Sequence, residues 1–367
     1  MYVAYPLTAL KLGADSFDLG LLAACGSLIY AFAVVWGGKL GDRFGLQTPP
    51  IIGCLVGACI HLITPHCVSL GQLYACRAGI GLIGALQWPM LMAWLTDLGA
   101  DRRHRTLVGL LAWFNLAWAG AELLVPRIAG QVYLLGPGAA FGLASGFLAL
   151  GAGFLVVAKV QNQARAEQDT TAGGDSFQAD RFRAAGRVAN LASYFTIGIC
   201  LHLFPDLGVR LGFTPPELGL ANSLLGGGRF LGFALMMLGS RWLFNGRLQL
   251  GWQLLALAGG LIGMVAEAHW LLIVAFALVG LNAGFSYWAS IYYAMAATSG
   301  RAAKGGWHEA FIGVGAASGP LLGGWLAVQS GNLRAPFALM SALVLATILA
   351  QAWLLKPWLK RELAKPQ

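Results

Sequence analysis

Gly38-Lys39-Leu40-Gly41-Asp42-Arg43-Phe44-Gly45 is the charged break that follows the first full-length apolar run of the chain. An apolar run over 19–37 precedes it and another over 49–65 follows it. Each run is long enough to cross a hydrocarbon core of about 30 Å at about 1.5 Å per residue of helix. The alternation continues, predicting helices near 70–96, 106–133, 139–158, 187–206, 218–239, 249–267, 270–297, 306–329 and 336–355, after a stub at 1–10. Of the 367 residues, 58% are hydrophobic and 11% charged, where a soluble domain carries about 25% charged residues. That composition excludes disorder, a collagen repeat, a coiled coil and a secreted disulfide scaffold. It predicts an all-α polytopic membrane protein with about twelve spans in a lipid bilayer.

The one long polar stretch is 159–186, with Asp169-Thr170-Thr171-Ala172-Gly173-Gly174-Asp175 at its centre. It reads as a linker between an N-terminal bundle, 1–158, and a C-terminal bundle, 187–367. The 24 Lys and Arg give a net charge of +9, which topology explains without nucleic acid. Only Lys11, Arg210 and Arg334 fall in loops on one side, and Arg77, Arg127 and Arg229 fall within spans. All the others lie in alternate loops and the C-terminal tail, which the positive-inside rule places in the cytoplasm.

The two halves repeat. Shifted by 199 residues, Pro6 falls on Pro205, Lys11-Leu12-Gly13 on Arg210-Leu211-Gly212, and Asp18-Leu19-Gly20-Leu21 on Glu217-Leu218-Gly219-Leu220. Shifted by 194, Trp113 falls on Trp307, Pro126 on Pro320 and Gly130 on Gly324. Duplicated halves are a common plan for secondary transporters. The residues before Pro205 make a full span whereas only five precede Pro6, so the first helix is expected to be truncated.

The opening motif resembles the signature loop of the major facilitator superfamily between its second and third helices, carried here by Gly38, Asp42, Arg43 and Gly45. Arg77-x3-Gly81-x3-Ala85 is similar to that superfamily's helix-four motif, and Gly315, Gly319, Pro320, Gly323 and Gly324 on helix eleven look like its Gly-Pro motif. The resemblance implies two pseudo-symmetric six-helix bundles. It also implies a conformational latch in which Asp42 meets the start of helix eleven and Arg43 pairs with Asp97 at the end of helix four. Leu46 and Gln47 depart from the basic residues usual there. In the second half Ser240 replaces the acid, which makes the latch one-sided.

Charges inside spans normally face a cavity or a partner, because each costs about 2.5–3.5 kcal/mol on insertion scales. Glu122 pairing with Arg77 or Arg127 is one reading, and Glu122 as a proton carrier is the other. Arg229 lacks an acid on its own helix and its repeat equivalent is Tyr30. It is the leading candidate for a substrate-facing cation, with pairing to Glu122 as the competing role. Gly226-Gly227-Gly228 leaves room beside Arg229 for a ligand or another backbone, and its apolar setting excludes a P-loop. Arg127 is read as snorkelling to the interface. Trp88, Trp118, Tyr287 and Trp288 sit deep enough to stack on an organic ligand or to pack against lipid, whereas Trp94 and Trp113 suit an interfacial belt. His308-Glu309 opens helix eleven, where a carboxylate is favoured by the helix dipole alone, a gate or proton relay being the lesser reading. The six Cys and the His61, His66, Cys67 group form no metal or redox pattern.

The expected function is secondary active transport of a small organic solute by alternating access in a bacterial inner (plasma) membrane, by a monomer with a cytoplasmic C-terminus. Proton-coupled efflux by antiport is its energised form, and no cofactor, metal or nucleic acid is implied. The alternative is a polytopic membrane enzyme or a non-transporting receptor. An enzyme needs clustered catalytic polar residues, and no such arrangement can be assigned from the sequence.

Overall fold

The structure, a computed structural model, describes residues 1–100, 107–158, 176–239, 241–295 and 301–363. In chain order the helices are α1 (Ala4–Lys11), α2 (Ser16–Phe44), α3 (Thr48–Ile63), α4 (Leu70–Ala100), α5 (Leu107–Tyr133) and α6 (Pro137–Val157). Helix α7 runs Ser176–Gly198, widens into a π-helical turn at Ile199–Leu203 and finishes as Phe204–Arg210. Then come α8 (Pro215–Met237), α9 (Gly246–Val265), α10 (His269–Met295), α11 (Arg301–Ser330) and α12 (Ala335–Leu363). Among the described residues nine of these are long and apolar enough to cross a membrane.

The largest departures of the helix ends from the sequence expectation are all extensions. α2 continues through the charged motif to Phe44, α7 begins at Ser176 rather than 187, and α12 runs to Leu363 rather than 355. Charge along these segments marks where the helix leaves the apolar slab, not where the backbone stops being helical. Residues 176–186 of the expected linker are thus the first turns of α7, and 159–175 lie outside the described residues. The reason is packing. Phe182, Ala185, Ala189 and Ala192 are all buried, and that spacing makes one apolar stripe on a helix. Phe182 meets the rings of Phe244, Tyr293 and Trp358. The Arg side chains beside the stripe bond carbonyls, Arg181 donating to Leu354 O at 2.8 Å and Arg183 to Tyr293 O at 3.1 Å.

The repeat seen in the sequence recurs as matched geometry. Asp15 caps α2 by accepting from the Asp18 backbone N–H at 2.9 Å, and Asp18 accepts in return from the Asp15 N–H at 3.1 Å. Thr214 and Glu217, one repeat later, form the same capping box on α8. Such boxes satisfy backbone donors that a helix start otherwise leaves unpaired. The preceding turns need φ values of +86° at Gly13 and +85° at Gly212, a region glycine alone enters freely. Gly45, which ends α2, has φ +81°.

Packing follows the same symmetry. α2 lies on α4 as α8 lies on α10, and α3 on α6 as α9 on α12. Two antiparallel pairs, α2 with α11 and α5 with α8, join the halves. A Cβ at Gly20 would strike the Pro320 carbonyl, and one at Gly219 would strike the Pro126 carbonyl. A Cβ at Gly324 would strike Ser16 O, and one at Gly130 would strike Pro215 O. These are the residues that align between the repeats, so the landmarks of the duplication are the surfaces where the halves touch. The rest of the helix-eleven motif packs within its own half. Gly315 and Gly319 face the α7 backbone at Leu191 and Phe195, and Gly323 faces Leu203 and Pro336. The four contacts at Gly20, Gly219, Gly324 and Gly130 lie toward the side poor in Lys and Arg. There Ser16 also donates to Asp206 at 2.6 Å, over a core built from α1, α2, α7, α8 and α10.

Candidate functional site

Each of the two cross-half seams ends, toward the middle of the bundle, in a polar pair. On the α5–α8 seam the Arg229 guanidinium donates to the Glu122 carboxylate at 2.7 Å. On the α2–α11 seam the Tyr30 hydroxyl donates to the Glu309 carboxylate at 3.0 Å. Tyr30 and Arg229 are repeat equivalents, so the halves place a hydrogen-bond donor at one position and meet it with a carboxylate from the opposite half.

Both pairs border a cavity of about 400 Å3 whose lining comes from both halves. Arg77, Glu122, Arg229, Trp88, Trp118 and Tyr287, each a candidate from sequence, all line it. Trp288 does not; it is buried with its ring against Phe233. Arg229 is 3% exposed, and its guanidinium lies 5.0 Å from the Trp118 ring and 5.6 Å from the Tyr194 ring. The glycines before it serve backbone approach, not ligand space: Gly226 packs on the Glu122 backbone and Gly228 on the Ala277 carbonyl.

Arg77 is placed differently from Arg229. It does not reach Glu122, and among the described residues it has no hydrogen bond or ion pair. Its guanidinium lies flat over Gly26, where a Cβ would stand 2.9 Å from the Arg77 Cζ, and its Cζ is 5.8 Å from the Tyr5 ring. Arg127 leaves the bundle with its side chain exposed, as a snorkelling residue does. Trp113 is also exposed, at 65%, in keeping with a belt position.

Sequence reasoning missed several lining groups. Glu309 reads as a helix-start acid, yet it sits inside the cavity because α11 begins several residues earlier, at Arg301. The signal that would have found Tyr30 was its alignment with Arg229. His61, Tyr194 and His202 also line the cavity, and no pattern in the sequence singles out the latter two. His308, beside Glu309, is buried behind the lining and bonds Ser290 Oγ through Nδ1 at 2.9 Å. In the expected latch, Arg43 is exposed with its guanidinium 5.3 Å from the Phe44 ring. The Gly38, Asp42 and Asp97 side chains lie outside the described residues. Among the described residues no group of His, Cys, Asp or Glu could hold a metal ion.

No curated protein matches the chain. Among solved structures, the nucleoside transporter NupG superposes with a TM-score of 0.71 at 12% identity, over 96% of this chain and 94% of that one. A bacterial homologue of the human lysosomal transporter Spinster, in an inward-facing and occupied conformation, superposes with a TM-score of 0.60 at 13% identity, over 96% and 92%. At such identities these likenesses establish the fold. The Major Facilitator Superfamily model matches residues 1–204, more than half of the chain. With that match, the duplicated seams and a cavity shared between the halves, the chain belongs to the Major Facilitator Superfamily, as an integral membrane transporter rather than an enzyme.

Proposed function

We propose that the chain moves a small organic solute across the membrane by alternating access, with the cavity between the halves as the binding site. The observation that carries this reading is the cavity's shared lining, in which each half supplies charged and aromatic groups. A site at the interface of two repeats is one that rocking can expose to either side in turn. With the Lys- and Arg-rich side in the cytoplasm, the matched glycine seams close the outer side. The C-terminus is then cytoplasmic, in the plasma membrane of a bacterium. The Asp42, Arg43 and Asp97 latch belongs to the same proposal, closing the inner side when the outer side opens. Purified protein in proteoliposomes, given an imposed proton gradient, tests the function: gradient-driven uptake or release of an organic solute supports it. Absence of any flux across a broad solute set would favour a non-transporting receptor.

Proton coupling is assigned to Glu122. It borders the cavity with its side chain 25% exposed and, among the described residues, is held by Arg229 alone. Protonating the carboxylate removes the counter-charge of a buried guanidinium, so proton binding is tied to how the two halves meet. Glu122→Gln keeps an oxygen that accepts from Arg229 but carries no titratable proton. Its expected effect is loss of uphill accumulation by at least about tenfold, with counterflow exchange preserved. Accumulation at the wild-type level in this variant would make Glu122 purely structural.

A further inference from the structure

We infer that the Arg77 end of the cavity is a subsite for the anionic group of an organic anion, a carboxylate or phosphate carried on a planar ring. The inference rests on the transport reading above and names its substrate class. Among the described residues four charged ones border the cavity: Arg77, Arg229, Glu122 and Glu309. Arg229 and Glu122 satisfy each other, and Glu309 accepts from Tyr30. Arg77 alone is left with no hydrogen-bonding or ionic partner among the described residues, although a cation in the bilayer interior is normally retained beside a partner or a functional cavity.

Its surroundings are built to expose it. Gly26 allows Arg77 this close approach: a Cβ there would stand 2.9–3.1 Å from Cζ, Nη1 and Nε, and the guanidinium would have to shift. The guanidinium is half-buried and reaches the cavity, so its planar fork can take an anion's two oxygens together. The second observation is independent. His61 is 4% exposed and lines the same cavity, and its Nδ1 has no hydrogen-bond partner. Buried polar atoms almost always have one. His61 and Arg77 both lie against the Tyr5 ring, the imidazole centroid at 6.0 Å and the guanidinium at 5.8 Å. Both also line the cavity, so the subsite as inferred includes His61, whose Nδ1–H tautomer can donate to the anion. The planar part follows from the walls: Trp88 and Phe114 meet edge to face at 5.8 Å, and Trp118 and Tyr194 face the cavity beyond them. Such surfaces stack on a flat ring and leave its charge to be met at one end.

Calorimetric titration of the detergent-solubilised full chain with naphthoate, naphthyl phosphate and the neutral isostere naphthamide tests this. The expected result is that at least one acid binds about tenfold or more tightly than the amide. Arg77→Gln brings that acid down to the amide's affinity and leaves the amide's own affinity in place. Arg77→Lys, which keeps the charge but loses the planar fork, restores part of the preference, and His61→Phe weakens the acid several-fold. Equal binding of acids and amide by the unaltered protein, or no binding of either acid, overturns the subsite without reference to any variant. Acid preference that survives Arg77→Gln overturns it as well. The transport reading fails separately: an acid that binds through Arg77 but is not moved across proteoliposomes leaves the subsite standing. A flux of naphthoate indifferent to Arg77→Gln does the reverse.

Discussion

Glu122→Leu should destabilise the folded protein by about 3–5 kcal/mol, the usual cost of removing one partner from a buried ion pair. Arg229 is 3% exposed, and among the described residues its one acidic contact is the 2.7 Å bond to Glu122. The rings of Trp118 and Tyr194 add cation–π attraction, but that term is worth about 0.5–2 kcal/mol and cannot replace a carboxylate. Adding Arg229→Met to Glu122→Leu removes the stranded charge and fills the space with apolar atoms, so the double variant should recover most of the loss. The thermal midpoint in detergent of the two single variants, the double variant and the parent closes this cycle. A double variant no more stable than Glu122→Leu alone would mean that the two side chains do not act as a pair. Recovered stability is not expected to bring back gradient-driven flux, because the double variant has no carboxylate at the α5–α8 seam.

A comparable loss is expected from valine at either of two symmetry-related glycines. Gly219→Val and Gly20→Val each drive a branched side chain into a proline carbonyl of the opposite half, Pro126 in one case and Pro320 in the other. Neither backbone can retreat without parting the seam, and overpacking of this kind costs about 1–3 kcal/mol or more. The arrangement with these seams closed should therefore lose about 5- to 150-fold in population. Flux should fall accordingly, and by similar factors at the two positions. Gly146→Val is the control, because nothing lies within 4 Å of a Cβ there. Flux measured alongside the size-exclusion profile separates a shifted transporter from an unfolded one. Unequal effects at Gly20 and Gly219 would show that the two seams do not share the load.

What was legible in the sequence and what was not divides along a physical line. Hydropathy and the repeat depend on many residues at once, and they gave the helix number and the symmetry; that Gly20, Pro126, Gly130 and their counterparts also form surfaces that join the halves is visible only in the structure. Helix ends were misplaced because polarity reports the edge of the membrane, whereas the backbone stays helical wherever a stripe such as Phe182, Ala185 and Ala189 can pack. Most of the charged cavity residues stood out in the sequence, but their pairing stayed open. Arg77, Arg229 and Glu122 are conspicuous as charges in apolar runs, but which arginine takes the glutamate depends on how α5 crosses α8, and no local pattern encodes that. Glu309 was hidden by its place near a helix start, where an acid needs no ligand to explain it.

The position of the Arg229–Glu122 contact along α8 sets a mechanical ratio. A swing of one half against the other that keeps this bond closed must take it as its fulcrum. Arg229 stands about 21 Å along the axis from Pro215 and about 12 Å from Met237, at about 1.5 Å of rise per residue. The two lever arms are therefore unequal, and for one angle of rotation the Pro215 end sweeps roughly 1.7 times as far as the Met237 end. The seam that is now shut against Pro126 and Gly130 is on the long arm, so a small rotation at the charge pair gapes widest at the face poor in Lys and Arg.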